Sequence, residues 1–397
     1  MHEIPPVQPA TASARPFGGK LFLAFLRLGL TAFGGPAMVA YIKELAITKN
    51  QWLSERSFKQ GVAICQVIPG ATAMQVAAYV GLRAGGPFGA IMAYIGFGLP
   101  AFFLMVFLAA FYQSAQEHAT IVSIFSGLQV IVIALVANAT LNFGKSAIKG
   151  WQDGVLALGI TAYLVLQGNP LIAIAVAALA GLLLQGTKKA QTKTAMAPTP
   201  VALTDLAAPL LLILALAGGM VVLFYSDRRL FDLSLVMAKV DLFAFGGGYG
   251  SVPLMFSEVV DGRKWLDGKT FLDGIALGQV TPGPIVITAT FVGYLLAFLP
   301  GALVATISIF TPSLIMLTLA VPYFDRIEHN ALFQKAMHGI VVSFVGLLLS
   351  VTLRFILTLP WAMPQVVFVL LAFLALRLKI DILWVVFIGG GLSALLL

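Results

Sequence analysis

Long apolar stretches alternate with short polar segments along most of the chain. A helix that spans a bilayer needs about 20 apolar residues. Such stretches predict helices in the first half near 20–45, 58–83, 87–112, 120–144, 152–167 and 169–186. A seventh lies near 206–225, and six more follow near 231–257, 271–295, 297–321, 333–357, 360–376 and 380–396. The pattern predicts an all-α polytopic membrane protein with about 13 transmembrane helices.

Two polar segments divide this pattern. Residues 1–19 are rich in Pro, Ala and Thr and lack the apolar core of a signal peptide, which predicts a disordered N-terminal tail. Residues 187–204 carry several lysines and prolines, as is typical of a cytoplasmic linker. We therefore expect a first six-helix repeat at 20–186, a connecting transmembrane helix at 205–230 and a second six-helix repeat at 231–397.

The second half of the chain repeats motifs of the first. Gln66-Val67-Ile68-Pro69-Gly70 returns as Gln279-Val280-Thr281-Pro282-Gly283, an offset of 213 residues (279 against 66). Phe33-Gly34-Gly35 returns as Phe245-Gly246-Gly247, an offset of 212 (245 against 33). The likeness fades in the last three helices of each half. Six helices plus one connecting helix would insert the second repeat with the opposite orientation, which predicts two inverted six-helix repeats with broken helices.

Prolines and glycines interrupt the predicted helices at repeat-equivalent places. Pro removes a backbone donor and Gly permits a turn, and freed backbone groups at membrane depth are tolerated only against protein or a water-filled cavity. The N-terminus of a half-helix presents N–H groups and a positive dipole end, which suit an anion. Close helix packing is the competing explanation for the glycine runs. The interruptions are Gly34-Gly35-Pro36, Pro69-Gly70, Gly246-Gly247-Gly248 and Pro282-Gly283-Pro284.

Two cations lie inside predicted helices. Arg27 and Lys239 each precede a Phe-Gly-Gly motif by six residues. A cation within a span costs about 2.5–3.5 kcal/mol on insertion scales, so such residues often mark a pathway. We predict that both supply countercharge to a bound anion. The alternatives are that both side chains reach the membrane interface, or that Lys239 pairs with Asp241.

Other polar residues near the interruptions are further candidates. Hydroxyl groups could donate to an anion, although Thr in a span more often bonds its own backbone. The amides beside the breaks could bind the anion or satisfy backbone freed by proline. The candidates are Thr72, Thr281 and Thr288 for hydroxyl groups, Gln66 and Gln279 for amides, and Glu44, Asp241 and Glu258 as carboxylates that could carry protons in a coupled cycle.

Composition narrows the class of protein. The chain is 60% hydrophobic and 10% charged, with a mean hydropathy of +0.98. The formal charge of +8 is better explained by basic cytoplasmic loops than by nucleic-acid binding. With the N-terminus inside, the predicted inner segments carry more Lys and Arg than the outer ones, which favours a cytoplasmic N-terminus. Cys65 is the sole cysteine, and four scattered histidines have no ligand spacing, so we expect no metal and no cofactor. The expected partners are the lipid bilayer and an anion; a homodimer is left open.

The motif pairs resemble the chromate ion transporter family, in particular its long two-domain members. The resemblance implies a multi-pass protein of the bacterial inner (plasma) membrane that exports chromate, a sulfate-like oxyanion, and confers chromate resistance. Members often have lysine where this chain has Arg27, and the first break is Pro-Gly-Ala rather than Pro-Gly-Pro. The family pattern marks Gly34, Gly35, Pro36, Pro69, Gly70, Gly246, Gly247, Gly248, Pro282, Gly283 and Pro284.

The sequence therefore predicts an oxyanion transporter with alternating access between inverted repeats. Transport of sulfate or another small anion is the nearest alternative. A membrane-embedded enzyme is the alternative from another class. It is disfavoured because the sequence has no clustered His, Asp and Glu set and no Ser or Cys nucleophile beside a base.

Overall fold

A computed structural model describes residues 18–33, 36–115, 118–184, 203–323 and 330–396. Every regular element among these residues is helical, and five of the helices are long and apolar enough to cross a membrane. The prediction of an all-α polytopic membrane protein is confirmed. Residues 1–17 of the predicted tail and residues 185–202 around the predicted linker lie outside the described residues.

The described residues of the first half contain seven helical segments before the connecting one, and the longest of these is kinked at Gly86 (φ +69°). Two of them, α2 and α3, are short because the breaks predicted from Gly and Pro divide the spans in which they lie. A π-helical turn at Glu44–Lys49 extends α2. The helices are α1 (Gly18–Thr31), α2 (Pro36–Lys43), α3 (Glu55–Val67), α4 (Thr72–Ala115), α5 (Ala119–Ala147), α6 (Trp151–Val165) and α7 (Pro170–Leu184).

The connecting helix and the second half follow the same order. A π-helical turn at Ser257–Gly262 stands at the position equivalent to the one in the first half, and a short 3₁₀ turn at Ile285–Ile287 precedes α12. The helices are α8 (Leu203–Ser226), α9 (Arg228–Phe243), α10 (Gly248–Phe256), α11 (Gly268–Val280), α12 (Thr288–Ala320), α13 (Ala331–Thr358), α14 (Met363–Arg377) and α15 (Ile382–Leu396).

The last three helices of each half keep the repeat although their sequences have diverged. Helix α13 begins at residue 331 against 119 for α5, α14 at 363 against 151 for α6, and α15 at 382 against 170 for α7. Each difference is 212 residues, the offset of the Phe-Gly-Gly motifs. The helices therefore repeat over the full length of both halves.

Contacts between the halves are reciprocal. Thr140 of α5 and Thr352 of α13, which are 212 residues apart, approach each other to 3.4 Å between their hydroxyl oxygens. Helix α5 packs against α14 and α15 of the second half, and α13 packs against α6 and α7 of the first. A residue that contacts its own equivalent indicates a two-fold axis. The repeats are thus related by an approximate two-fold that passes between α5 and α13.

Helix α8 lies apart from this arrangement. It packs against α9 and α12, but only 6% of the apolar window in Leu206–Ser226 is buried inside the protein. An apolar helix that is exposed on most sides is suited to lipid. It provides the additional span between the repeats.

Candidate anion site between the broken helices

The first break separates α3 from α4. Ile68 leaves the helix with extended backbone (φ −81°, ψ 137°), Gly70 has a φ of +112°, and α4 begins at Thr72. The Gln75 side chain donates to the Pro69 carbonyl at 2.6 Å. Because proline lacks an N–H and glycine tolerates a positive φ, the sequence turns here as predicted.

The second break has the same geometry. Thr281 is extended (φ −80°, ψ 141°), and Gly283 has a φ of +118°. The 3₁₀ turn and α12 follow it. The two predicted broken helices are therefore present at repeat-equivalent positions.

Each break crosses the other repeat where that repeat's first helix ends. The Gly70 N–H donates to the Ala244 carbonyl at 2.9 Å, and the Gly283 N–H donates to the Ala32 carbonyl at 3.1 Å. Ala244 and Ala32 directly precede the two Phe-Gly-Gly motifs. The two Pro-Gly breaks thus form two equivalent backbone crossings, each with the residue that precedes a Phe-Gly-Gly motif.

We call the crossing at Gly70 the polar crossing. A Cβ atom added at Gly70 would overlap the Ser313 Cβ atom and would lie 2.9 Å from Asp241 Oδ1. Asp241 is 1% exposed. Its Oδ2 accepts a hydrogen bond from the Ser313 N–H at 2.6 Å, while its Oδ1 has no partner among the described residues. The Tyr94 hydroxyl lies 3.2 Å from Ser313 Oγ.

We call the crossing at Gly283 the apolar crossing. A Cβ atom added there would lie 3.0 Å from the Ala101 Cβ atom. Ala101 is the repeat equivalent of Ser313, and Gly29 is the equivalent of Asp241, each at an offset of 212. Gly29 packs against the Phe97 carbonyl. The same backbone arrangement is thus surrounded by different chemistry.

The N-termini of α4 and α10 meet beside the polar crossing. Gly246 and Gly247 have φ values of +87° and +80° and lead into α10 at Gly248. A Cβ atom added at Gly247 would lie 3.2 Å from Thr72 Oγ1, at the start of α4. The first N–H groups of a helix have no partner within the helix, and two positive dipole ends attract negative charge. This junction is the candidate anion site.

The predicted amides occupy different environments. Gln66 is exposed, whereas Gln279 is partly buried and its Nε2 has no partner among the described residues. Tyr249, in the first turn of α10, is close enough to Gln279 for a side-chain hydrogen bond. The second repeat therefore brings a buried amide donor to the start of α10, and the first repeat does not.

Two of the predicted hydroxyl donors are already engaged. Thr281 Oγ1 donates to the Gly278 carbonyl at 2.9 Å, and Thr288 Oγ1 donates to the Ile285 carbonyl at 2.8 Å. A hydroxyl has one proton to donate, so neither is available to an anion in this arrangement. Thr72 is the threonine that lies at the junction itself.

The two predicted cations lie away from the crossings. Lys239 Nζ forms an ion pair with Glu258 Oε1 at 2.6 Å, beside a shallow groove that Pro170 and Leu254 also line. The pairing of Lys239 with Asp241 is wrong, because residues two apart on a helix point in nearly opposite directions. Arg27 is exposed. Their role as countercharge stays a prediction.

The remaining predicted residues are placed as follows. Glu44 pairs with Lys49 at 3.0 Å within the π-helical turn of the first half. The neighbouring Lys43 pairs instead with Glu55 at 2.9 Å. Gly34 and Gly35 lie outside the described residues, and Pro36 begins α2. Pro284 follows the second break and directly precedes the 3₁₀ turn at Ile285–Ile287.

Sequence reasoning missed two polar residues at the polar crossing. Ser313 corresponds to Ala101 and Tyr94 to Thr306 at the offset of 212, so neither residue type is repeated and a search for matching motifs passes over both. The signal that could have found Ser313 is its position after Pro312, which matches Pro100 of the first half. A proline inside a helix leaves neighbouring backbone groups in need of partners, and Asp241 is the partner of Ser313.

The half-helices before the breaks are capped at equivalent positions. Ser54 accepts a hydrogen bond from the Ser57 N–H at 3.2 Å at the start of α3. Asp267 accepts from the Lys269 and Thr270 N–H groups at 2.9 and 3.0 Å at the start of α11. Burial raises the pKa of Asp267, but the hydrogen bonds from Thr270 and Lys269 lower it further, so this pKa lies below its usual value.

The chromate transporter family model matches the chain twice, over residues 19–182 and 231–394. The chain belongs to the chromate transporter family. An uncharacterized transporter of Methanocaldococcus jannaschii is 45% identical over 95% of this chain and 94% of its own length. Chromate transport proteins of Cupriavidus metallidurans and Pseudomonas aeruginosa are each 30% identical, over 89% and 84% of this chain and 87% and 80% of their own lengths. No solved structure matches.

Membership in this family agrees with the architecture. Both matches of the family model begin in the first helix of a repeat and end in its last, and they leave out α8. The long two-domain form recognised from the motifs is therefore confirmed. The protein is a multi-pass membrane transporter of the chromate transporter family.

Proposed function

We propose that the protein carries chromate or a closely related tetrahedral oxyanion across the membrane. The observation that supports this most is the meeting of the α4 and α10 N-termini at Thr72 and Gly247, next to two broken helices that cross reciprocally. Discontinuous helices with N-termini aimed at an anionic group are a known arrangement in transporters with inverted repeats. The family and the two chromate transport proteins supply the substrate class.

The anion would be held mainly by backbone N–H groups, with the Thr72 hydroxyl and the Gln279 amide as side-chain donors. Rocking of the two repeats about their two-fold would expose this site alternately to the two sides of the membrane. Export from the cell, as the family resemblance implies, is the expected direction in the plasma membrane. Arg27 and Lys239 would attract the anion electrostatically from a distance rather than contact it.

The experiment is uptake of radiolabelled chromate into inside-out membrane vesicles, with unlabelled sulfate as competitor. Wild type should accumulate chromate. Gly247→Ala should slow uptake because a methyl group would enter the space between the two N-termini, at a φ that L-residues rarely adopt. Gly219→Ala is the matched control, since a methyl group there meets nothing within 4 Å. Equal uptake by both variants would contradict the site, and no uptake by wild type would contradict the substrate.

Sulfate transport is the second candidate, because sulfate has the same shape and charge as chromate. Full competition by sulfate at concentrations similar to that of chromate would favour a general oxyanion carrier. Absence of competition would favour a site selective for chromate.

A further inference from the structure

Asp241 is a buried carboxylate with one oxygen unused. It is 1% exposed. Ser313 donates to Oδ2, and Oδ1 is without a hydrogen-bond partner in the described part of the chain. Oδ1 points toward Gly70, where an added Cβ atom would lie 2.9 Å away. Buried polar atoms are normally satisfied, so an open carboxylate oxygen at a helix break requires a reason.

The charged and titratable groups around Asp241 do not neutralise it. From α4, the Tyr94 hydroxyl lies 3.2 Å from Ser313 Oγ, and it interacts electrostatically with Asp241 and with Cys65 of α3. From α12, Ser313 contributes an N–H and a hydroxyl group. On its own helix, Lys239 is turned away and paired with Glu258. No cation from the described elements therefore faces this carboxylate.

The carboxylate also lies beside the proposed anion site. Helix α4 begins two residues after Gly70, so Asp241 Oδ1 stands next to the N-terminus at which the oxyanion would bind. Two negative groups that share a poorly solvated site raise each other's affinity for a proton. An ionised Asp241 would therefore weaken oxyanion binding by electrostatic repulsion, and protonation of its carboxylate would remove this repulsion.

We propose that Asp241 takes up one proton when the oxyanion binds, so that the transporter moves a proton and an oxyanion together in the same direction. This inference rests on the proposed oxyanion transport. The proton comes from water on the side where the anion enters, adds to the carboxylate, and leaves to water on the other side after the anion has departed. No other bond forms or breaks.

This coupling makes transport respond both to the membrane potential and to the pH difference across the membrane. A dianion with one proton carries a net charge of −1. A membrane potential that is negative inside therefore expels the complex, while an acidic exterior drives it inward. Export from a cell whose potential dominates is compatible with co-transport of a proton.

A purely structural role for Asp241 makes a different prediction. In that case the carboxylate serves to accept the Ser313 N–H next to Pro312. Asn at this position keeps an oxygen that can accept the same hydrogen bond but cannot take up the proton. Asp241→Asn should then be indistinguishable from wild type.

The test uses the full chain in liposomes with equal potassium and valinomycin on both sides, so that the membrane potential is zero. Exchange of labelled chromate at equal pH is measured first, and accumulation under an acid-outside gradient second. Wild type should exchange, and one coupled proton should raise its accumulation by about tenfold per pH unit. Asp241→Asn should exchange chromate but fail to accumulate it.

Asp273→Asn is the matched control. Asp273 is also buried, but both of its oxygens are bonded, to Tyr112 Oη at 2.8 Å and to Gln129 Nε2 at 2.7 Å. It should accumulate chromate as wild type does. Chromate itself can take up a proton near neutral pH. If the protein carried that protonated anion, Asp241→Asn would still respond to the gradient, and this result would overturn the proposal.

The other outcomes are equally distinct. Accumulation driven by the opposite gradient, or wild-type exchange without any response to pH, would overturn the coupling alone. No exchange by wild type would overturn the proposed function and the coupling together. If Asp241→Asn does not fold, proton uptake by purified wild type decides. The added anion is sulfate, once it is shown to compete with chromate, because sulfate stays a dianion near neutral pH. In weak buffer the protein should withdraw one proton from solution per bound sulfate, and no uptake would overturn the proposal.

Discussion

At the polar crossing Gly70 lies against Ser313 and Asp241, whereas at the apolar crossing Gly283 lies against Ala101 and a glycine replaces the aspartate. The backbone hydrogen bonds of the two crossings are equivalent, at 2.9 and 3.1 Å. The comparison indicates that the two-fold backbone is needed for the architecture, while the side chains need not be alike. One crossing can then hold charge and the other can serve as an apolar contact between the repeats.

The largest expected difference between the crossings is in the cost of adding a methyl group. Gly70→Ala and Gly283→Ala should each cost about 1–3 kcal/mol, because the φ values of +112° and +118° strain any other residue. Gly70→Ala should cost more, since its new Cβ atom would also overlap Ser313. Thermal unfolding in detergent measures the difference. Equal losses would show that the two crossings are packed alike.

The two amides beside the breaks should differ in their effect on transport. Gln279→Ala removes a buried donor next to α10, and a hydrogen bond to a charged partner contributes about 1.5–3 kcal/mol, so the KM for chromate should rise about tenfold or more. Gln66→Ala alters an exposed side chain and should leave KM nearly unchanged. Chromate uptake at several concentrations measures both. A larger rise for Gln66→Ala would show that Gln279 is not the amide that donates to the anion.

The two cations should differ in their effect on stability. Lys239→Ala leaves the partly buried Glu258 without its ion-pair partner and should cost about 1–3 kcal/mol. Arg27 is exposed, so Arg27→Ala should change stability by no more than about 0.5 kcal/mol. Thermal unfolding tests this difference, and chromate uptake by the same variants tests the countercharge hypothesis. Complete loss of uptake by both variants, if both are folded, would indicate that Arg27 and Lys239 contact the bound anion.

The smallest expected difference concerns the two helix caps. Ser54→Ala and Asp267→Ala should each cost about 1 kcal/mol. Because hydrogen bonds hold the pKa of Asp267 below its usual value, its contribution is present above the unfolded pKa and is lost as the pH falls through the folded pKa. The cost of Asp267→Ala should therefore shrink in acid, while that of Ser54→Ala should not. Thermal unfolding at several pH values measures both costs, and a cost of Asp267→Ala that stays constant or grows in acid would contradict the prediction.

Much of the architecture could be predicted from the sequence because proline and glycine act locally. The breaks at Pro69-Gly70 and Pro282-Gly283 follow from the backbone properties of these residues, and their repetition predicts the two related halves. The match of the last three helices in each half was not visible. Many positions of α6, α7, α14 and α15 are exposed, and such positions can change identity while helix length and position are kept.

The site was harder to predict because it depends on how each helix is rotated. Lys239 and Asp241 are two residues apart, so one of them at most can face the polar crossing, and composition does not say which. The equal spacing of Arg27 and Lys239 from the Phe-Gly-Gly motifs favoured the cations. The structure places Asp241 at the crossing instead, where Ser313, distant in sequence, supplies its hydrogen bond.

The central claim is that the oxyanion binds where the N-termini of α4 and α10 meet. The most direct test is anion protection of a cysteine at that place, with sulfate as the anion once it is shown to compete with chromate, because chromate oxidises thiols. In a Cys65→Ala background, Thr72→Cys and the exposed control Ser226→Cys are labelled with a small thiol reagent. We predict that sulfate slows labelling at position 72 and leaves position 226 unchanged. Labelling at position 72 that is unaffected by sulfate concentrations that inhibit chromate uptake would contradict the account.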